Sequence, residues 1–211
     1  MPASYDYIRD PAAITRRSFE IVRAETDLTG IPEDLAAVAL RLVHACGMPE
    51  IVEGLAWAGD LAGSAREALR AGAPVIADCR MVAEGVTRAR LPAENEVLCP
   101  LEDPMVPELA RQEGMTRSAA AVDLWTPNLD GAVVAIGNAP TALFRLLELL
   151  QDDVAPPAAI LAFPVGFVGA AESKQALIDA ALDVPYLTLR GRRGGSALAA
   201  AAVNALAKDE P

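Results

Sequence analysis

Ala132-Val133-Val134-Ala135-Ile136-Gly137-Asn138-Ala139-Pro140-Thr141-Ala142-Leu143-Phe144-Arg145-Leu146-Leu147 changes period half-way along. Its first five residues are uniformly apolar, the pattern of a strand covered on both faces. Gly137 to Pro140 is turn chemistry, and Thr141 to Gln151 then reads as a helix. Outward from it the same alternation recurs. Strands are expected at Pro74–Cys79, Glu96–Leu101, Ala158–Phe163 and Tyr186–Arg190. Helices are expected at about Met105–Trp125, Ala171–Leu182 and Ser196–Lys208. Three helices come first: Pro11–Glu25, one that starts at Pro32-Glu33-Asp34 and stops at Gly47, and Leu61–Ala71. The expectation is an α/β fold: a mostly parallel five-stranded sheet between helical layers, with extra N-terminal helices, as one domain over 1–211.

Composition narrows the functions. Eighteen Lys and Arg against 29 Asp and Glu leave a net charge of −11, which argues against nucleic acid. An anionic ligand needs local arginines or helix N-termini. Three cysteines, Cys46, Cys79 and Cys99, without zinc-type spacing read as free thiols in a reducing compartment. Met1 to Asp10 has no apolar leader pattern. The long uncharged run Val154–Ala171 is broken by Pro156, Pro157, Pro164, Gly166 and Gly169, so it reads as strand plus loop and not a membrane span. The expected location is the cytoplasm, with no membrane contact.

Phosphate-loop, dinucleotide and nucleophile-elbow motifs are missing. With a single histidine, His44, a multi-histidine metal site is impossible. His44 lies in the last turn of the second helix, away from the stripe Leu35, Val38, Ala39, Leu42 and Cys46. Its face is itself apolar and should pack against a cleft, a ligand or another subunit. Residue by residue, His44 stays open between a proton donor and an exposed helix-end side chain. Ser18 shares the stripe of Ile14, Ile21 and Val22, so it faces inward or a partner, or bonds back to its own helix. Arg16, Arg17, Arg88, Arg90 and Arg117 are candidates to meet an acidic ligand. Three glycine-rich loops, at 137–140, 164–169 and 191–196, fall at strand carboxyl ends, where α/β proteins bind ligands.

Several strings together carry a resemblance: Tyr5-Asp6-Tyr7-Ile8-Arg9-Asp10 with Arg17-Ser18-Phe19, Val43-His44-Ala45-Cys46-Gly47, and Ala71-Gly72-Ala73-Pro74 leading to Asp78 and Met81-Val82. To these add Gly85-Val86-Thr87-Arg88, Thr116-Arg117-Ser118-Ala119-Ala120, the 137–144 stretch, Pro164 to Lys174, and Gly191-Arg192-Arg193-Gly194-Gly195-Ser196-Ala197. The chain closely resembles the precorrin-8X methylmutases of aerobic cobalamin biosynthesis, nearly end to end.

The resemblance implies a flavodoxin-like fold and a homodimer with its site near the subunit interface. It implies an isomerase that moves a methyl group from C-11 to C-12 of precorrin-8X, giving hydrogenobyrinic acid, with no metal or organic cofactor. His44 matches the family's proton donor and acceptor, which acts on a ring nitrogen, and Ser18 a substrate contact. Thr87 and Arg117 match pocket positions, and Gly166, Gly194 and Gly195 lie in loops expected to bind the tetrapyrrole. One departure is Ala162, where glycine is expected and where the extra methyl would narrow the pocket. Alternatives are the cobalt-precorrin-8 reaction of the anaerobic branch, a corrinoid carrier without catalysis, and a generic nucleotide or flavin binder.

Overall fold

All five expected strands form, and a sixth joins them. The computed structural model describes residues 5–152 and 154–208. The reading of residues 1–10 as lacking a leader falls outside that range up to position 4. In chain order come α1 (Pro11–Glu25), α2 (Glu33–Cys46), β1 (Leu55–Ala58), α3 (Leu61–Arg70), β2 (Val75–Ala77), α4 (Arg80–Gly85) and β3 (Val97–Leu98). They are followed by α5 (Val106–Gln112), α6 (Arg117–Asp123), α7 (Thr126–Leu129), β4 (Val133–Ile136), α8 (Pro140–Gln151), β5 (Ala159–Ala162), α9 (Ala170–Asp179), β6 (Tyr186–Leu189) and α10 (Ser196–Leu206).

The sheet order is β1-β6-β5-β4-β2-β3. Pairing is parallel except for β1, which runs antiparallel to β6 with Leu55 opposite Leu189. The five-strand expectation is therefore corrected to six. Leu55-Ala56-Trp57-Ala58 is only four residues between Gly54 and Gly59, too short for periodicity to separate strand from helix. Without β1, the parallel strands follow the 2-1-3-4-5 order of flavodoxin-like folds.

The single helix expected over Met105–Trp125 is three helices, α5, α6 and α7. Gly114 takes φ +63°, which ends α5. Thr116 then caps α6, its Oγ1 accepting from the Ala119 N–H at 3.2 Å. The strand expected over Glu96–Leu101 shrinks to two residues, because Pro100 turns the chain at once.

Strand alternation divides the core in two. Val75, Val133, Ala135, Leu161, Leu187 and Leu189 pack against residues of α2, α3, α4 and α10. Ile76, Val134, Ile136, Ile160 and Tyr186 pack against residues of α8 and α9 and the end of α6. Ala162 belongs to this second core and is fully buried. Its methyl fills the interior and does not narrow a pocket, contrary to the sequence expectation. Helix α1 lies outside these layers, packed on α2.

In a doubly wound sheet the favoured ligand position is the switch point, here between β2 and β4. This protein fills it with its own carboxylate. Asp78, at the end of β2, accepts backbone N–H bonds from Gly137, Asn138 and Ala139 at 2.9, 3.0 and 2.8 Å. Burial pushes the Asp78 carboxyl up and the three donors pull it down, with burial the larger influence. The backbone nest that holds phosphate in nucleotide binders is thus occupied from within.

Candidate active site

The candidate site lies instead where α1 meets the end of α2. Helix α2 stops because Gly47 adopts φ +70° and returns its N–H to the Val43 carbonyl at 2.7 Å. That stop leaves His44 exposed in the last turn, while Leu35, Val38, Ala39 and Leu42 are buried. The apolar second face of α2 is covered by α1. Phe19 of α1 is buried, and its ring stacks on the His44 imidazole with centroids 4.7 Å apart and planes 18° from parallel.

Ser18, next to Phe19, places Oγ 3.0 Å from His44 Nδ1. It does not bond back to its own helix. Phe19 sets the ring's plane and Ser18 sets its rotation. Among the described residues Nε2 has no hydrogen-bond partner. The side chains of Ser18, Ile21, Val22, Glu25, Val43 and His44 line a cleft of about 240 Å³. Next to Pro49, which also lines the cleft, Glu50 pairs with Arg193 of the loop after β6 at 3.0 Å.

The other sequence candidates are dispersed. Thr87 lies on the same side of the sheet as His44, its N–H held by Asn204 Oδ1 of α10 at 2.8 Å. Arg117 opens α6 and donates to the Leu101 carbonyl at 3.2 Å. No bond or cleft links Arg117 to His44 among the described residues. Arg17 pairs with Glu20, Arg88 donates to the Ala83 and Val86 carbonyls, and Arg90 to the Asn204 carbonyl. Two further arginines, Arg23 and Arg41, absent from the sequence candidates, flank the Phe19 ring on which His44 stacks. The usable signal was spacing, since Arg41 precedes His44 by three residues on one helix face.

The glycine loops bond to one another. Gly195 N–H donates to the Phe163 carbonyl at 2.8 Å and Gly166 N–H to the Arg192 carbonyl at 3.3 Å. A Cβ on Gly194 would overlap the Phe163 and Pro164 carbonyl oxygens. Gly194→Ala should therefore cost about 1–3 kcal/mol of stability, read as a lower urea midpoint. An unchanged midpoint would mean the loop has slack.

Lys174 of α9 braces the same loop. It is fully buried, and its Nζ donates to the Arg193 carbonyl at 2.6 Å. Desolvation pushes its ammonium down to about 8 from an ordinary 10.5. Between those values the unfolded chain binds a proton that the folded one has released, so stability rises with pH. Melting of the protein relative to Lys174→Met should show a difference that shifts in favour of the natural protein from pH 8 to 10.5. A pH-independent difference would contradict this.

No three His, Cys, Asp or Glu side chains stand together as metal ligands would among the described residues. The three cysteines are free, and burial raises each thiol. No described helix is long and apolar enough to cross a membrane.

Comparison with known proteins identifies the family. Residues 13–209 match the family model CbiC, precorrin-8X methylmutase. The chain is 59% identical over 97% of its length, and 97% of the relative's, to a protein of Sinorhizobium sp. named precorrin-8X methylmutase. It is 34% identical over 93% of its length, and 87% of the relative's, to a cobalt-precorrin-8 methylmutase of Priestia megaterium. A crystal structure of precorrin-8X methyl mutase from Thermus thermophilus superposes with TM-score 0.84 at 38% identity, covering 93% of this chain and 94% of that one. A flavodoxin-like sheet with its switch point filled, and likeness that extends from α1 to the last helix, lead to one assignment: the chain belongs to the precorrin-8X methylmutases, isomerases of cobalamin biosynthesis.

Proposed function

We propose that this protein moves a methyl group from C-11 to C-12 of precorrin-8X, giving hydrogenobyrinic acid, with His44 as proton donor and acceptor. The observation that carries the reading is the fixed imidazole: Nδ1 on Ser18, the ring face on Phe19, and Nε2 open to the cleft. When His44 is charged, Nδ1–H donates to Ser18 Oγ and Nε2–H is offered to a ring nitrogen. After transfer the Nδ1–H bond is kept and Nε2 is the acceptor for the return. The hydroxyl accepts throughout, so the ring need not rotate. Protonating a conjugated imine nitrogen draws density from the π system and lowers the barrier to migration. The net reaction is an isomerisation, so the proton is returned.

A cleft of about 240 Å³ lies below the roughly 300–1,000 Å³ of a complete small-molecule pocket. It admits an edge of a tetrapyrrole. The exposed Ile14 and Ile21 beside Ser18 favour a second copy of the chain as the remaining wall, making a homodimer. In that reading Ser18 contacts substrate directly, and Thr87, Arg117 and the loops of Gly166, Gly194 and Gly195 complete the binding surface.

The higher identity to the relative named for precorrin-8X favours the metal-free substrate over its cobalt form. Incubating the protein with each substrate and following the absorption spectrum tests this. Faster conversion of precorrin-8X is expected. Faster conversion of cobalt-precorrin-8 assigns the anaerobic reaction. Tight binding without conversion of either assigns a carrier and overturns the proposal.

A further inference from the structure

Phe19 is flanked by two guanidinium groups and by the His44 ring. The Arg41 guanidinium carbon lies 5.5 Å from its ring centroid and that of Arg23 lies 6.0 Å away, while His44 stacks at 4.7 Å. Neither arginine has a carboxylate partner among the described residues, although the chain carries eleven more acids than bases. Arg41 Nε is buried without a hydrogen-bond partner. Arg41 also feels the charge of Arg90, and burial together with that repulsion lowers its proton affinity. Cation–π contact offsets only part of the cost of keeping a guanidinium unpaired. In an acidic protein, unpaired arginines around one ring are a frame that awaits anions.

Position says which anions. Arg41 precedes His44 by one turn, about 4.5 Å along the helix axis, and Arg23 is one turn beyond Phe19 on α1. Neither lines the cleft itself, but both flank the Phe19 ring that His44 stacks on, so they stand beside the position of a flat ring whose edge meets His44. Glu25 is the carboxylate that lines the cleft, and it repels such arms from its own end. The electrostatics are therefore polar along the site, cationic around Phe19 and acidic toward Glu25, and they favour one orientation of a polycarboxylate.

Resting on the function proposed above, we infer that Arg23 and Arg41 bind carboxylate arms of the substrate and so set which edge of the macrocycle meets His44. Both are specificity residues that touch substrate, and Phe19 holds them next to the proton donor.

The test uses the full-length protein with Arg23→Gln, Arg41→Gln, Arg41→Lys and the double glutamine variant. Turnover of precorrin-8X and absorption titration with hydrogenobyrinic acid are measured at low and high salt. Each glutamine change should raise KM and the product Kd about tenfold, with a much smaller change in kcat, as loss of one charge-assisted pair requires. The double variant should lose most of the salt dependence, and Arg41→Lys should recover part of the loss. Product with its carboxylates methyl-esterified should bind the natural protein and the double variant equally. Unchanged KM and Kd in both single variants overturn the inference while leaving the reaction in place. An undiminished loss with the esterified ligand overturns it too, because the arginines then act by packing Phe19. If the natural protein neither binds nor converts precorrin-8X, the functional reading fails and takes this inference with it.

Discussion

Replacing His44 by alanine is expected to lower kcat by about 10²–10⁴-fold, the usual contribution of a positioned general acid–base group. No other histidine exists in the chain to take over. The exposed position of His44 means that the change should hardly affect folding. The Phe19 ring stays buried mainly against α2, so substrate should still bind, and KM should move far less than kcat. Ser18→Ala is the companion measurement. It keeps the imidazole but removes the bond at 3.0 Å that orients it, and a loss smaller than that of His44→Ala is expected. The absorption spectrum of precorrin-8X, followed under single-turnover conditions, reads both. Equal rates for His44→Ala and the natural protein would end the assignment of the proton to His44.

Asp78→Ala should cost about 4 kcal/mol of stability, because three buried backbone N–H groups lose their acceptor at once. The carboxylate ties β2 to the turn that starts α8, and nothing else among the described residues accepts from those three donors. The urea midpoint should fall accordingly, with the slope of the transition unchanged. Asp78→Asn keeps one oxygen but points an amide donor at the nest, so it should recover only part of the loss. Added sulfate or phosphate should raise the midpoint of Asp78→Ala by more than that of the natural protein, since the vacated nest is a ready anion site. A small effect of Asp78→Ala would show that the loop holds its shape without the carboxylate. The same nest explains why the generic nucleotide-binding alternative has little support here: the position that a phosphate would take is filled.

Much of the fold was legible because its signals are local. Unbroken apolar runs such as Val133–Ile136 and Ala159–Ala162 mark strands that are covered on both faces. Gly47 and Gly72 stop helices where the pattern ends. The misses arose where local signals compete. Gly114 and Thr116 break a run of helix formers, and one glycine at positive φ outweighs the propensity around it. Leu55–Ala58 becomes a strand only because β6 offers it an unpaired edge, which no window of the sequence contains. The sequence places Ala162 beside a pocket, yet its position on the pleat turns it into the second core.

The site divides in the same way. By itself the sequence determined that one imidazole exists, that it sits in the last turn of a helix, and that it is turned from that helix's main apolar stripe. Composition and helical period suffice for those facts. Only the tertiary structure decided what the imidazole touches. Ser18 lies 26 residues away in sequence, and the crossing of α1 over α2 brings its hydroxyl to Nδ1 and the Phe19 ring to the imidazole face. That crossing depends on burial of Phe19 against α2 and on packing of Val22 against a core built from the whole chain. Hydrophobic packing is non-directional and non-local, so the contacts that orient His44 are a property of the assembled layers and not of any one segment.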